Sequence, residues 1–177
     1  FLLSASSIMM PLMAFGVHST LIRFYSRYTD VAEREKFMTF MLFMPLLLIV
    51  PITLITYFFY DQIAFLILKE NPETKPFLWL IPIIGICMGY FEVYYAWVKV
   101  HMKSVVGNLI SEVLVRVVIM FLLFAVYWNW ISKDQFIYGL ALAYFLQVFV
   151  MKIYAMSVKM PILSLKIPAN VKEVFGY

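Results

Sequence analysis

The stretch Ser104-VVGNLISEVLVRVVIMFLLFAVY-Trp128 is long enough to cross a lipid bilayer as one helix, yet it contains two charged residues. Glu112 and Arg116 are four positions apart, so their side chains are expected to meet on one helix face. Arg116 lies near the centre of the stretch, where an ionised arginine costs roughly 3 kcal/mol on insertion scales. Asn108 precedes Glu112 by one turn on the same face. We therefore expect this face to look into a bundle interior or a wet cavity rather than into lipid.

The composition places the chain among membrane proteins. Its 177 residues are 64% hydrophobic and only 14% charged, whereas soluble domains are roughly half apolar and roughly a quarter charged. The mean hydropathy of +0.91 agrees with this class. Aromatic residues make up 19% of the chain, which is typical of a protein with many anchors at the membrane interfaces.

Hydrophobic segments separated by polar connectors predict an all-α polytopic transmembrane helix bundle. Five spans are expected, at residues 1–22, 37–60, 77–98, 104–128 and 135–157. These form a bundle over residues 1–158, and residues 159–177 form an amphipathic linker on the cytoplasmic side. Because residue 1 stands inside an apolar run with no charged segment before it, we expect a fragment of a longer transporter rather than a signal peptide.

Prolines and glycines inside the spans predict how the helices bend and pack. Pro11 permits a kink in the first span, and Pro45 and Pro51 are expected to kink the second. In the third span, Gly85 and Gly89 are four residues apart and predict a close contact with another helix.

The connectors alternate in charge, which predicts an orientation. The connectors after the first, third and fifth spans hold ten of the fourteen basic residues, and the other two connectors hold three. Since bases accumulate on the cytoplasmic side, residue 1 is expected outside and the linker inside. The polar half of the 104–128 span then opens toward the cytoplasm. Bases placed between hydrophobic segments do not indicate a nucleic-acid partner.

No enzyme motif is present, so we expect neither catalytic residues nor a cofactor. The chain lacks H-E-x-x-H, G-x-S-x-G and P-loop sequences. The two histidines lie in different segments without metal-ligand spacing, and a single cysteine, Cys87, allows neither a disulfide within the chain nor a cysteine metal site. No metal site is expected.

Ionisable residues within the spans favour a transporter. Glu92, Glu112 and Arg116 are the candidates, and intramembrane charges commonly mark a substrate or ion pathway. A guanidinium at this depth suits an anionic group such as a diphosphate, because its planar fork matches phosphate oxygens. The alternative is a structural ion pair that fixes helix register. Glu92 is equally well placed as an interior acid or as a group that reaches the interface.

Two arginines at the end of the first span are further candidates. Arg23 and Arg27 could bind anionic headgroups or attract a substrate at the inner rim of a cavity. The alternative is that they only set the topology.

Three runs resemble the polysaccharide (O-antigen type) flippases, which move lipid-linked oligosaccharides and belong to the MATE-like superfamily of multidrug and polysaccharide exporters. Residues 16–28 (GVHSTLIRFYSRY) are similar to the second helix and following loop of that family. Residues 92–107 (EVYYAWVKVHMKSVVG) followed by 112–116 (EVLVR) resemble the fourth and fifth helices. Residues 165–177 (LKIPANVKEVFGY) are similar to the linker before helix seven.

The resemblance implies that the chain covers helices two to six of a transporter with two six-helix bundles. It also implies a function, which is to flip undecaprenyl-diphosphate-linked oligosaccharide across the bacterial cytoplasmic membrane by alternating access. The implied partners are this lipid-linked substrate, membrane lipids and other polysaccharide-assembly proteins. The family supplies no fixed catalytic residues.

Two other functions stay open at this point. A cation-coupled multidrug or small-solute antiporter of the same fold would use Glu92 or Glu112 as its coupling acid. A membrane scaffold without transport activity would need neither residue.

Overall fold

The computed structural model describes residues 1–68 and 72–161, and every regular element in these two ranges is helical. In chain order the helices are α1 (Leu2–Ala14), α2 (Val17–Tyr25), α3 (Val31–Phe58), α4 (Tyr60–Leu68), α5 (Leu80–Val100), α6 (Ser104–Leu109), α7 (Val115–Tyr127) and α8 (Lys133–Val158). A 3₁₀ turn at Pro72–Phe77 precedes α5, and a π-helical segment at Ile110–Leu114 joins α6 to α7. The fold is therefore all-α, as the sequence predicts. The predicted linker at residues 159–177 lies outside the described residues from position 162 onward.

The described residues include four helices that are long and apolar enough to cross a membrane. They are α3, α5, the continuous helix Ser104–Tyr127 and α8. Helices α1 and α2 are bent by 45° relative to each other and make a fifth span if they are counted together. The chain is thus a helical protein of transmembrane character.

Helix α3 begins before the predicted 37–60 span because Asp30 caps it. The Asp30 carboxylate accepts a hydrogen bond of 3.1 Å from the backbone N–H of Ala32, and Glu33 places a second negative charge in the first turn. The helix then continues through Pro45 and Pro51 as a single element. Neither proline therefore interrupts the helix.

The first span is bent at Phe15 and Gly16 rather than at Pro11. Helix α1 passes through Pro11, whose carbonyl accepts a hydrogen bond of 2.9 Å from the backbone N–H of Phe15. Phe15 and Gly16 then have φ angles of 47° and 64°, in the left-handed region where a helix commonly ends. Two successive left-handed residues stop α1, and α2 starts at Val17 in a new direction.

Helix α5 lies at the centre of the bundle and packs against α1 through its two glycines. A Cβ added at Gly85 would lie 3.2 Å from Met9 Cβ, and one added at Gly89 would lie 3.1 Å from Met13 Cβ. The buried Ser6 hydroxyl on α1 lies 3.1 Å from the Ile81 carbonyl oxygen of α5. The close helix contact predicted from the glycine spacing is confirmed.

The two ends of the bundle differ in chemistry. At one end, which we call the basic end, α2, α5 and α8 finish and α3 and α6 begin. Lys159 and Glu35 form an ion pair of 2.6 Å there, between the end of α8 and the start of α3. At the other, aromatic end, the Phe77 and Tyr138 rings connect the starts of α5 and α8 with centroids 5.6 Å apart. The connectors rich in Lys and Arg therefore meet at one end.

Candidate functional site

The ion pair predicted in the fourth span is formed. Arg116 Nη2 lies 2.6 Å from Glu112 Oε2, with the acid one turn before the base. With a rise of 1.5 Å per residue, Arg116 lies about 18 Å along the helix axis from Ser104. The whole helix Ser104–Tyr127 has 24 residues, so the guanidinium is near the middle of the span.

The pair lies on an open face of the described bundle. Of the two surroundings expected for it, a bundle interior or a wet cavity, the described helices therefore do not provide the first. The side chains of Arg116 and Glu112 are 79% and 63% exposed. Helix α7 packs against α8 through another face, where Leu122 approaches Gly139 so closely that an added Cβ would lie 2.8 Å from a Leu122 methyl carbon. The charged pair therefore lies on the broad side of this helix that the described helices leave uncovered, together with exposed apolar side chains such as Leu109, Val113 and Met120.

A π-helical segment, Ile110–Leu114, lies within this site and contains Glu112. A π turn carries one more residue than an α turn, and such turns occur often at functional sites. It stands between Asn108 and Arg116 within the continuous helix Ser104–Tyr127. The sequence offers no signal for it, because the hydrophobic pattern of the stretch is continuous.

Tyr95 on α5 anchors the start of the charged face. Its hydroxyl donates a hydrogen bond to Asn108 Oδ1 on α6. Its ring lies against Gly107, where an added Cβ would be 2.6 Å from two ring carbons. The Lys99 ammonium stands 3.9 Å from the centroid of the same ring. We call Tyr95, Asn108, Glu112 and Arg116 together the polar stripe.

Sequence reasoning identified three members of the polar stripe and missed Tyr95. The spacing of Tyr95 and Lys99, four residues apart on one helix, was the available signal for their cation–π contact. The bond from Tyr95 to Asn108 crosses from one helix to the next, and no local spacing predicts it.

Glu92 lies beside the polar stripe on α5. It is half-buried, and no ion pair involves it in the part of the chain that the structure describes. It stands three residues before Tyr95 and four after Met88, whose sulfur is 4.0 Å from the Ser7 hydroxyl of α1. Glu92 therefore lies on α5 between the residue that contacts α1 and the residue that contacts α6.

Arg23 and Arg27 belong to the basic end rather than to the polar stripe. Both are exposed, one in the last turn of α2 and one just beyond it. The Arg27 guanidinium lies 4.7 Å from the centroid of the Phe24 ring. Helix α2 packs against α3 and α5, whereas α7 packs against α8.

The polar stripe has the chemistry of an anion-binding face. A guanidinium has five N–H donors, and the short contact to Glu112 uses Nη2, so the remaining N–H groups of Arg116 can donate to a second anionic oxygen. The carboxylate partner keeps the pair neutral before a ligand binds. In residues 1–68 and 72–161, no three His, Cys, Asp or Glu side chains are grouped as a metal site requires.

Neither a protein-family model, nor a curated protein, nor a solved structure matches this chain significantly.

Proposed function

We propose that the chain is part of a transporter in the bacterial cytoplasmic membrane that flips undecaprenyl-diphosphate-linked oligosaccharide to the outer leaflet. Transport by alternating access would serve the export of polysaccharide, O-antigen or capsule. The observation that supports this most directly is the Glu112–Arg116 ion pair on an open face near the middle of an apolar span.

Lipid is a poor environment for this face. An arginine at the bilayer centre costs roughly 3 kcal/mol even on the mildest scales, and the described helices do not cover it. A water-filled cavity between this bundle and a second one removes that cost. The family resemblance implies such a second bundle, and the cavity between the two would open toward the basic end in the cytoplasm.

In the proposed mechanism the diphosphate binds at Arg116, because two phosphate oxygens match the guanidinium fork. Glu112 holds the side chain in place and neutralises it while the cavity is empty. Asn108, oriented by Tyr95, offers an amide to the glycan or to a phosphate oxygen. Arg23 and Arg27 at the rim would bind anionic headgroups and draw the substrate toward the cavity.

The test replaces Arg116 in the complete transporter and measures two phenotypes in the same cells. Arg116→Ala should lower polysaccharide export about tenfold or more, because a hydrogen bond to a charged group contributes about 1.5–3 kcal/mol. Tolerance to drugs should not change. The double variant Glu112→Leu with Arg116→Leu is the control for folding, since it removes both charges together and should still insert while it fails to export. Normal export by Arg116→Ala would exclude the proposal.

An antiporter of the same fold is a second candidate, and the half-buried Glu92 without an ion-pair partner among the described residues favours it. In that case Glu92→Gln should abolish cation-coupled drug efflux, while Arg116→Ala should leave efflux intact. A scaffold without transport activity would tolerate both substitutions.

A further inference from the structure

A groove on the surface of the bundle lies between α5 and α8, away from the polar stripe. Its volume is about 290 Å³, and Cys87, Tyr90, Tyr94, Phe145, Phe149 and Lys152 are among the residues that line it. Both walls belong to helices that are long and apolar enough to span a membrane. Where no other part of the protein covers it, a groove between two such helices faces the hydrocarbon region of a bilayer.

The walls of the groove are formed by ordered aromatic pairs. On α8 the rings of Phe145 and Phe149 are nearly parallel, with an angle of 12° and centroids 6.4 Å apart. On α5 the rings of Tyr90 and Tyr94 have centroids 6.1 Å apart. The two phenylalanines are 56% and 49% exposed, which leaves an apolar channel that the described helices do not fill.

A cation stands at one end of this channel. Lys152 is exposed and forms no ion pair within the described ranges, whereas Lys159, two turns further along the chain, pairs with Glu35 at 2.6 Å. Lys152 is six residues before the end of α8 and so lies near the basic end. An ammonium at this depth reaches the headgroup level while its stem lies along apolar surface.

We propose that this groove binds one anionic glycerophospholipid of the leaflet at the basic end. An acyl chain lies between the Tyr90–Tyr94 and Phe145–Phe149 walls, and the phosphate group pairs with the Lys152 ammonium. A phospholipid is the occupant because it joins a long apolar chain to a negative charge at headgroup depth and, unlike the proposed polyprenyl-diphosphate substrate, is a bulk component of the surrounding bilayer. The Tyr90 and Tyr94 rings supply flat apolar surface for the chain. This binding site is separate from the polar stripe and does not depend on what the protein transports.

The test uses the full chain in nanodiscs that contain equal amounts of phosphatidylglycerol and phosphatidylcholine, each carrying a photoreactive acyl chain in turn. We expect crosslinks from phosphatidylglycerol to concentrate on the segments around Tyr90 and Phe149. Lys152→Gln should lower the ratio of phosphatidylglycerol to phosphatidylcholine crosslinks about fivefold, the factor that one lysine near an anionic surface contributes. Lys152→Arg should retain the ratio, and Lys133→Gln, at the opposite end of α8, should leave it unchanged.

Other outcomes would overturn the proposal. Crosslinks spread evenly over the exposed faces of α7 and α8 would show that the groove has no preference for lipid. An unchanged ratio in Lys152→Gln would show that the ammonium does not select the headgroup. Disulfide formation between two copies of a Phe149→Cys variant would show that a second copy covers the groove instead.

Discussion

Gly107 illustrates how a single residue holds the polar stripe in position. It lets the Tyr95 ring approach the backbone of α6, and the Tyr95 hydroxyl can then reach Asn108. A larger residue at position 107 would push the ring away and disturb both contacts. The Tyr95 ring is rigid and is itself in contact with Lys99, so it cannot move aside cheaply.

We predict that Gly107→Ala lowers the free energy of unfolding by about 1–3 kcal/mol, the usual cost of an overpacked contact. The added Cβ would lie 2.6 Å from the Tyr95 ring. Thermal unfolding of the purified protein in detergent measures the change. Tyr95→Ala should remove most of the penalty when it is combined with Gly107→Ala, because the clashing ring is then absent.

Gly139→Ala provides the matched control for that measurement. Its added Cβ would lie 2.8 Å from a Leu122 methyl carbon, but the leucine side chain can rotate and move this carbon away. It should cost less than Gly107→Ala. An equal or larger loss at Gly139 would show that the flexibility of the neighbour does not decide the cost.

At the scale of elements, the π-helical segment Ile110–Leu114 determines how the fourth span presents its charges. A π turn arises when one residue is added to an α-helix without rotating the helix on either side. Removing one residue from it should therefore restore an ordinary α-helix. The faces of α6 and α7 should stay where they are.

We predict that deletion of Val113, which is exposed, leaves the protein folded, with a melting temperature close to that of the wild type. Glu112 and Arg116 would then be three positions apart, a spacing that still allows an ion pair. Deletion of Val118 in α7 is the control, because it rotates the rest of the helix by about 100° and takes Leu122 away from Gly139. If both deletions lower the melting temperature equally, the π-helical segment does not result from one residue added to an α-helix.

Features set by the spacing of residues within one helix of this protein are predictable from the sequence, whereas the pairing of residues between helices is not. The helix contact through Gly85 and Gly89 was predictable, because residues four positions apart lie on one face of a helix and two small residues there allow another helix to come close. The ion pair of Glu112 and Arg116 was predictable for the same reason.

Interactions between helices were not predictable in this way. The bond from Tyr95 to Asn108 depends on how two helices are placed after a turn. The exposure of Arg116 depends on which faces the other helices cover, and a charge inside an apolar span does not reveal that. Pro11 permits a kink in the first span, but the backbone turns at Phe15 and Gly16, where both residues have a positive φ.

At the scale of the whole molecule, the two ends of the bundle decide which way the polar stripe opens. The ion pair of Lys159 with Glu35 and the contact of Tyr25 with His101, with ring centroids 5.7 Å apart, bring the connectors after the first, third and fifth spans together. These connectors carry most of the basic residues. The stripe begins at this end, at Asn108, and finishes near mid-span at Arg116.

We predict that the basic end faces the cytoplasm, because lysine and arginine in short connectors are retained on that side. In a Cys87→Ser background, Ser26→Cys at the basic end and Lys133→Cys at the aromatic end place single thiols at two exposed positions. An impermeant thiol reagent should label position 133 in intact cells and position 26 only after the cells are permeabilised. The unsubstituted protein should stay unlabelled, since Cys87 is buried. The reverse pattern would make the polar stripe open to the outside, where no undecaprenyl-diphosphate substrate is loaded, and the proposed direction of transport would then be wrong.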